Sequence, residues 1–293
     1  MRKLAPAKLE GVVAEAATPR RAQEYSIDLG ATLELIDFLG ASGVSAILLL
    51  GRAGEFVHFA LEDRLHMVNF AVKRSRVPVF VNVSHSTLDG AVELAREAAM
   101  AGVTGFTLMP PYYYRYTEDT IYSFFLTFAR ELGKAAPIYL SGVETSTARQ
   151  LLRTELFAGV ISSTLDEIHS LAGETAQVLA GCELVYRNAK EFGATGVVSG
   201  IASAVPELMV AFDRALSMGQ SDSAARLEAR IQEFLHRADQ LPFAVAVKEA
   251  ASRRKLKMGA FAVPPGEQEG RKLEEFREWL DVWLPNVLSE CRA

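Results

Sequence analysis

The side chains with which this chain could do chemistry stand at the ends of short apolar runs. Glu15 lies in GVVAEAA (11–17), and Arg52 and Ala53 follow SAILLL (45–50) inside the segment GRAGEF. Glycines let backbone N–H groups approach an anion, and a guanidinium is a natural partner for a carboxylate or phosphate. A buried carboxylate needs a cation partner or a raised pKa. The sequence therefore predicts a salt bridge between Glu15 and Arg52, with a general base at Glu15 as the alternative.

Further candidates stand where other apolar runs give way to polar segments. They are Ser141 in PIYLSG, Ile161 and Ser162 in GVISST, and Arg187 directly after CELVY. Arg187 could join Arg52 in holding an anionic group, while Ser141 could orient it. An isoleucine and small hydroxyls offer no strong nucleophile at the GVISST position.

Tyrosine and histidine supply the remaining acid–base candidates. Tyr113 lies in PPYYYRY (110–116), where tyrosine hydroxyls could relay protons or, equally, pack at a subunit contact. His85 ends VNVSHS, and a hydrogen-bonded structural role is the favoured interpretation. The five histidines lack metal-ligand spacing and no carboxylates cluster with them, so no metal site is predicted. No G-x-S-x-G motif supports a hydrolase triad.

The segments that must position these residues alternate between short apolar runs and longer amphipathic ones. β-branched apolar runs without strict alternation are typical of parallel strands covered on both faces. Glycine often follows the intervening helical patterns, as expected just past a helix end. Eight strand–helix units predict an α/β fold, a (β/α)₈ TIM barrel, with a doubly wound open sheet as the alternative. The predicted strands are 11–17, 45–50, 77–83, 105–110, 137–142, 158–162, 182–186 and 196–200, and the main helical patterns between them are 29–43, 61–75, 87–102 and 118–133.

After residue 220 the strand pattern stops. Three helical patterns follow, at 221–241, 242–257 and 270–288. We therefore expect a barrel domain at 1–220 and a C-terminal helical extension at 221–293. Because catalytic groups of such barrels lie at the carboxyl ends of the strands, the candidates named above should meet at one mouth.

The composition of the chain argues against some classes of binding partner. A net charge of −5 argues against nucleic acid or an anionic membrane surface as a partner. The two cysteines suggest no disulfide framework, and no run reaches the roughly 18 apolar residues of a membrane helix. The N-terminal segment has no apolar signal-peptide core. The expectation is a soluble, cytoplasmic protein.

Several segments together resemble one family. GEFVHFALEDR, PVFVNVSHSTLDGAVELAREAAMAGVTGF, PPYYYRYTEDTIYSFF and GATGVVSGIASAVPE, in this order, are similar to the dihydrodipicolinate synthase / N-acetylneuraminate lyase family. The resemblance implies a TIM-barrel class I aldolase, a homotetramer or homodimer, that binds pyruvate or a related 2-oxo acid as a Schiff base on a lysine.

Position by position, the resemblance preserves the scaffold more than the chemistry. The family's G-T-T-G-E loop reads Gly-Arg-Ala-Gly-Glu at 51–55, and its catalytic tyrosine and substrate-binding arginine correspond to Ser141 and Ser146. The Schiff-base lysine corresponds to Ile161, which cannot form an imine. Tyr113 matches the relay tyrosine that reaches across a dimer interface.

The prediction from these matches is a divergent, lysine-less member with no cofactor. It would bind a small anionic metabolite, a 2-oxo acid or similar, in a pocket of Glu15, Arg52, Ala53, Ser141, Ile161, Ser162 and Arg187, with Tyr113 and Glu15 as catalytic candidates. Two alternatives stay open: an active lyase with its lysine relocated to Lys190, and a non-catalytic binding or regulatory paralogue. Lys190 follows the predicted seventh strand, although its context RNAKEFG favours an exposed helix.

Overall fold

Parallel strands close into a barrel in the computed structural model, which describes residues 9–21, 26–173 and 176–292. Eight strands pair in chain order and the last pairs with the first, so the predicted (β/α)₈ barrel is confirmed and the open sheet is excluded. The strands are Gly11–Glu15 (β1), Ala46–Leu49 (β2), Val79–Asn82 (β3), Gly105–Leu108 (β4), Ile138–Ser141 (β5), Gly159–Ser162 (β6), Gln177–Ala180 (β7) and Gly196–Ser199 (β8).

A helix follows each strand and covers the barrel. These helices are Leu29–Ala41 (α1), Leu61–Arg74 (α2), Leu88–Ala101 (α3), Glu118–Leu132 (α4), Thr145–Leu152 (α5), Leu165–Leu171 (α6), Tyr186–Glu191 (α7) and Pro206–Ser217 (α8). Capping residues in the sequence mark where some of these helices begin. Asp28 and Thr87, for example, accept hydrogen bonds from backbone N–H groups in the first turns of α1 and α3.

The seventh strand lies five residues earlier than the sequence predicted. Residues 182–186 are not a strand: they form a 3₁₀ turn at Glu183–Val185 and the first residue of α7. The strand is instead QVLA at 177–180, in parallel register between β6 and β8. Tertiary contacts override the β propensity of CELVY, because Tyr186 is fully buried as a helical residue and donates a hydrogen bond to Asp213 in α8.

The barrel interior is filled by alternate strand residues, as the period of two requires. The rings of Phe80 and Tyr139 pack edge to face with their centroids 5.8 Å apart, and they fill the half of the barrel nearer the amino ends of the strands. Glycines on neighbouring strands make this possible: a Cβ on Gly105 would lie 2.4 Å from the Phe80 ring, and one on Gly159 would lie 3.0 Å from the Tyr139 ring. Below them, Tyr139 donates to Gln177, whose side chain also bonds the backbone of Leu9.

Three further helices follow the barrel, as predicted. They are Ser221–Ala238 (α9), Phe243–Arg253 (α10) and Glu267–Glu290 (α11). The last begins three residues before the predicted start, and it contains Pro285. Buried side chains of α9 and α11, among them Phe234, Phe276 and Trp283, pack together. Among the described residues, no helix has the length and apolar character needed to cross a membrane.

Candidate functional site

The carboxyl ends of the strands enclose a cavity of about 1140 Å³. Its floor is made by the last inward-facing residue of most strands, two positions beyond the residues that fill the interior. These floor residues are Glu15, Leu48, Asn82, Thr107, Ser141, Ile161 and Val198. Side chains from α9 and α10 form part of its wall, so the C-terminal helices complete the mouth.

Glu15 is the most perturbed acid of the cavity. Burial raises its pKa from 4.5 to about 7, against the hydrogen bonds that it accepts from the backbone N–H groups of Arg52 and Ala53, and the nearby Glu183 carboxylate raises it further. The carboxylate packs directly on Gly51, where a Cβ would lie 2.0 Å from Glu15 Oε1. Glu15 and Gly51 are therefore a matched pair, and the raised pKa that the sequence offered as one solution for this carboxylate is present.

Arg52 does not form the predicted salt bridge with Glu15. Only its backbone N–H contacts that carboxylate, while its guanidinium lies 4.7 Å above the ring of Phe243 in α10. Phe243 in turn packs on Gly200, where a Cβ would lie 2.4 Å from the ring. The side chain is exposed at the cavity and, within the described residues, takes part in no ion pair. The prediction failed because stacking on a ring and turning toward solvent avoid the cost of desolvating a guanidinium.

Glu183 is a site residue that the sequence did not reveal. Its side chain is 5% exposed and accepts hydrogen bonds from Ser199 Oγ at 2.8 Å and from the Ile201 N–H at 3.2 Å. It lines the cavity because it follows the true end of β7. Placing CELVY in a strand hid it; the usable signal was Gly181, a glycine at a strand end followed two residues later by a carboxylate.

Ser162 and Glu167 form a second polar pair in the wall. The Ser162 hydroxyl donates to Glu167 Oε2, and burial raises the pKa of Glu167 against this hydrogen bond, with the Glu144 carboxylate adding to the rise. Ile161, before them, is 8% exposed and turns its side chain toward the cavity and Gly181. At this strand end the chain therefore offers a hydrocarbon surface beside a hydroxyl–carboxyl pair.

Two more floor residues follow from strand alternation. Asn82 stands two residues after the inward Phe80; it donates to Leu50 O at 2.8 Å and accepts from the Ser84 hydroxyl at 2.5 Å. Thr107 is 4% exposed, and neither its hydroxyl nor that of Ser141 has a hydrogen-bond partner among the described residues. Both hydroxyls are therefore available to a ligand.

Three predicted candidates lie apart from the cavity wall. Ala53 is fully buried behind it and contributes only its backbone. Arg187 lies on α7, outside the set of residues that line the cavity, with its Nε 2.7 Å from Glu228 in α9. It is displaced from the mouth because the seventh strand ends earlier than predicted. Tyr113 is 89% exposed, has a left-handed backbone (φ 86°) and stacks edge-on with Tyr114.

Lys190 and His85 also have partners outside the cavity. The Lys190 ammonium contacts Asp213 and donates to Ser217 Oγ at 2.7 Å, both on α8. Lys190 does not line the cavity in this structure. His85 Nδ1 accepts from the Thr87 N–H at 3.2 Å at the start of α3, and His85 does not line the cavity.

The cavity is predominantly acidic. Its ionisable lining residues are Glu15, Glu167, Glu183 and Asp239 against Arg52, with His236 and Cys182 beside them. No lysine lines it within the described part of the chain. No group of three histidine, cysteine, aspartate or glutamate side chains could hold a metal ion, in residues 9–21, 26–173 and 176–292.

An eight-stranded parallel barrel with a polar cavity at the carboxyl end of its strands has the architecture of the TIM-barrel enzymes. The model of the dihydrodipicolinate synthetase family matches residues 8–282, and the chain belongs to this family.

Individual relatives agree with this assignment. The 4-hydroxy-tetrahydrodipicolinate synthase of Laribacter hongkongensis is 27% identical over 242 residues, covering 76% of this chain and 81% of the relative. Dihydrodipicolinate synthase from Aquifex aeolicus superposes with a TM-score of 0.86 at 25% identity, covering 94% of this chain and 98% of that chain. The prophage protein YagE of Escherichia coli K12, solved in complex with pyruvate, superposes with a TM-score of 0.85 at 21% identity. The match covers 95% of this chain and 99% of that chain.

Proposed function

We propose that this protein is an imine-free member of its family that acts on a small oxo or hydroxy monocarboxylic acid, with Glu15 as the proton-transfer group. One observation carries the proposal: a carboxyl group with a pKa of about 7 stands on the cavity floor, and Ile161 stands at the position that the resemblance assigns to the Schiff-base lysine. A carboxyl with such a pKa is populated in both protonation states near neutrality, as a group that both takes and gives a proton should be.

The absence of an amine in the described cavity lining supports the loss of covalent chemistry. Ile161 offers only hydrocarbon, and no tuning of a neighbouring pKa supplies the missing nucleophile. Lys190 has its ammonium engaged by Asp213 on the outer helices. The protein would therefore have to activate its substrate through hydrogen bonds alone.

The substrate's carboxylate would be held by Arg52. Its guanidinium is exposed at the cavity and already oriented over the Phe243 ring, so little ordering is needed on binding. The carboxylates of the wall limit the substrate to one negative charge, because a phosphate ester or a dicarboxylate would be repelled. Hydroxyl groups on the substrate would suit the acceptor oxygens of Glu167 and Glu183.

The reacting end of the substrate would then lie over the floor. Ionised Glu15 would take a proton from the carbon next to the carbonyl, and the resulting enolate oxygen would accept hydrogen bonds from Thr107 and Ser141. Protonated Glu15 would return the proton in the reverse direction. Such an enolate step underlies carbon–carbon bond cleavage and formation as well as simple proton exchange.

Tyr113 enters the proposal only through a second copy of the chain. Its ring is almost fully exposed and lies outside the cavity of its own chain. The resemblance gives it a place across a dimer interface, so in a homodimer or homotetramer it would complete the partner's site as a proton relay.

Proton exchange tests the function without knowledge of the second substrate. The protein is incubated in D₂O with a panel of 2-oxo monocarboxylic acids, pyruvate among them, and the signal of the hydrogens next to the carbonyl is followed by NMR. We expect faster loss of signal than in buffer, and loss of this acceleration in Glu15→Gln. Glu10→Gln, which alters an exposed carboxylate just before β1, is the matched control.

Two outcomes would change the assignment. Acceleration that persists in Glu15→Gln would remove Glu15 from the chemistry. Binding of these acids, seen as a thermal shift abolished by Arg52→Met, without any exchange would make the protein a binding or regulatory member of the family.

A further inference from the structure

A buried ion pair joins the C-terminal extension to the loop that carries Arg52. Lys248 of α10 is completely inaccessible, and its ammonium contacts the carboxylate of Glu55, whose side chain is 6% exposed. Such a pair stabilises a fold less than apolar side chains of the same volume would, so its presence calls for a geometric role. Neither residue lines the cavity, and the proton transfer proposed above uses neither.

The loop at residues 51–55 is held in a strained shape. Leu50 before it and Glu55 at its end both have left-handed backbones, with φ of 59° and 52°. Each such residue costs about 1–2 kcal/mol when it is not glycine. Strain of this kind persists only where the surrounding contacts impose it, and the Lys248–Glu55 pair is one such contact at the end of the loop.

Other contacts hold residues 50 and 54, on either side of Arg52 and Ala53. Thr18 Oγ1 donates to Gly54 O at 2.7 Å, and Asn82 donates to Leu50 O at 2.8 Å. Gly54 has no room to move inward, because a Cβ there would lie 3.0 Å from Ala16 O. The Glu55 N–H donates to Arg52 O at 3.3 Å, so a change at Glu55 acts on residue 52 directly.

Lys248 is not the sole neighbour that attracts the Glu55 carboxylate within the described residues. Arg20, 3% exposed, lies close enough to act on Glu55 electrostatically, and His58 Nδ1 lies 3.5 Å from Glu55 Oε1. Without the Lys248 ammonium, the Glu55 carboxylate would still be attracted by these two groups, both on the barrel side. It would turn toward them and take the end of the loop with it.

We propose that Lys248 is a positioning residue of the cavity: through Glu55 it fixes the 51–55 loop in the shape that brings the Arg52 and Ala53 N–H groups to Glu15. The proposal rests on the function given above for Glu15, but it concerns the resting protein. It assigns to the C-terminal extension a part in setting the acidity of a group on the barrel floor.

The test is the titration of Glu15 in Lys248→Met. The difference in unfolding free energy between each protein and its Glu15→Gln version, measured from pH 4 to pH 9, gives the apparent pKa of Glu15. Because the two N–H groups favour the ionised form, their displacement should make Glu15 titrate about one pH unit higher in Lys248→Met. Lys257→Met, at an exposed lysine after α10, is the control and should leave the curve unchanged.

A second variant protects the test from a failure to fold. Glu55→Gln with Lys248→Met replaces both charges by neutral groups of similar size, so that neither member of the pair is left as a buried ion. This double variant should fold, and Glu15 should titrate at a higher pH in it, as in Lys248→Met. An unchanged Glu15 titration in either folded variant would overturn the proposal. If Glu15 titrates at a higher pH in these variants but the parent protein catalyses no proton exchange, the positioning role of Lys248 is supported. The proposed function is then contradicted instead.

Discussion

The bottom and the mouth of the barrel are built on the same strands but treat their polar groups differently. At the bottom, the Tyr139 hydroxyl donates to Gln177 at 2.6 Å, and Gln177 also bonds both backbone groups of Leu9. At the mouth, two residues further along the strands, the hydroxyls of Thr107 and Ser141 have no partner among the described residues. A polar group left without a partner at the wall of a cavity is available to a ligand, so the difference separates what stabilises the barrel from what it binds.

The largest expected effect lies at the bottom, where backbones touch. A Cβ at Gly196 would lie 2.4 Å from Gly11 O, across the β1–β8 pair that closes the barrel. Gly196→Ala should therefore lower the free energy of unfolding by about 3 kcal/mol, measured by chemical denaturation. Gly40→Ala, in α1 with open space around it, is the matched control and should raise it slightly. Equal effects of the two substitutions would contradict the packing described for the barrel bottom.

At the mouth, the expected effect depends on pH. The pKa of Glu15 is about 7 in the folded protein against an ordinary 4.5, so the folded state binds this proton more tightly than the unfolded state does. Its contribution to stability is complete below pH 4.5 and is lost as the pH rises through 7. Glu15→Gln should match the parent near pH 4 and exceed its unfolding free energy by about 2 kcal/mol at pH 8, since the Glu15 side chain lines the cavity and is partly exposed there. A constant difference across this range would contradict the raised pKa.

The smallest effects compare one hydroxyl from each region. Tyr139→Phe removes a partnered hydroxyl and should cost about 1 kcal/mol of unfolding free energy. Thr107→Val removes an unpartnered one and should be neutral within about 0.5 kcal/mol, while it weakens ligand binding. If Thr107→Val destabilises the protein as much as Tyr139→Phe, the mouth is held together by its polar groups and the comparison fails.

The sequence predicted the barrel well because its strands are marked by local signals. β-branched runs and the glycines that follow the helical patterns are read without knowledge of distant contacts. The seventh strand was misplaced because CELVY has strand propensity, and only the packing of Tyr186 against α8 makes it helical. That single error moved Arg187 into the predicted site and hid Glu183.

For the site, the sequence identified positions better than interactions. Glu15, Arg52, Ser141, Ile161 and Ser162 do line one cavity. The orientation of Arg52 over Phe243 could not be predicted, because the two residues are far apart in the chain and belong to different parts of the fold. Asn82 and Thr107 could have been predicted as cavity residues, since each lies at an inward-facing position of its strand.

The central claim, chemistry without an imine, is tested most directly by borohydride trapping. The protein is incubated with pyruvate and other 2-oxo acids, reduced, and weighed intact by mass spectrometry, with Ile161→Lys as the variant that places an amine on the cavity floor. We predict no adduct on the parent chain and a single adduct on Ile161→Lys. An adduct on the parent chain, at any lysine, would contradict the account and make the protein a Schiff-base aldolase.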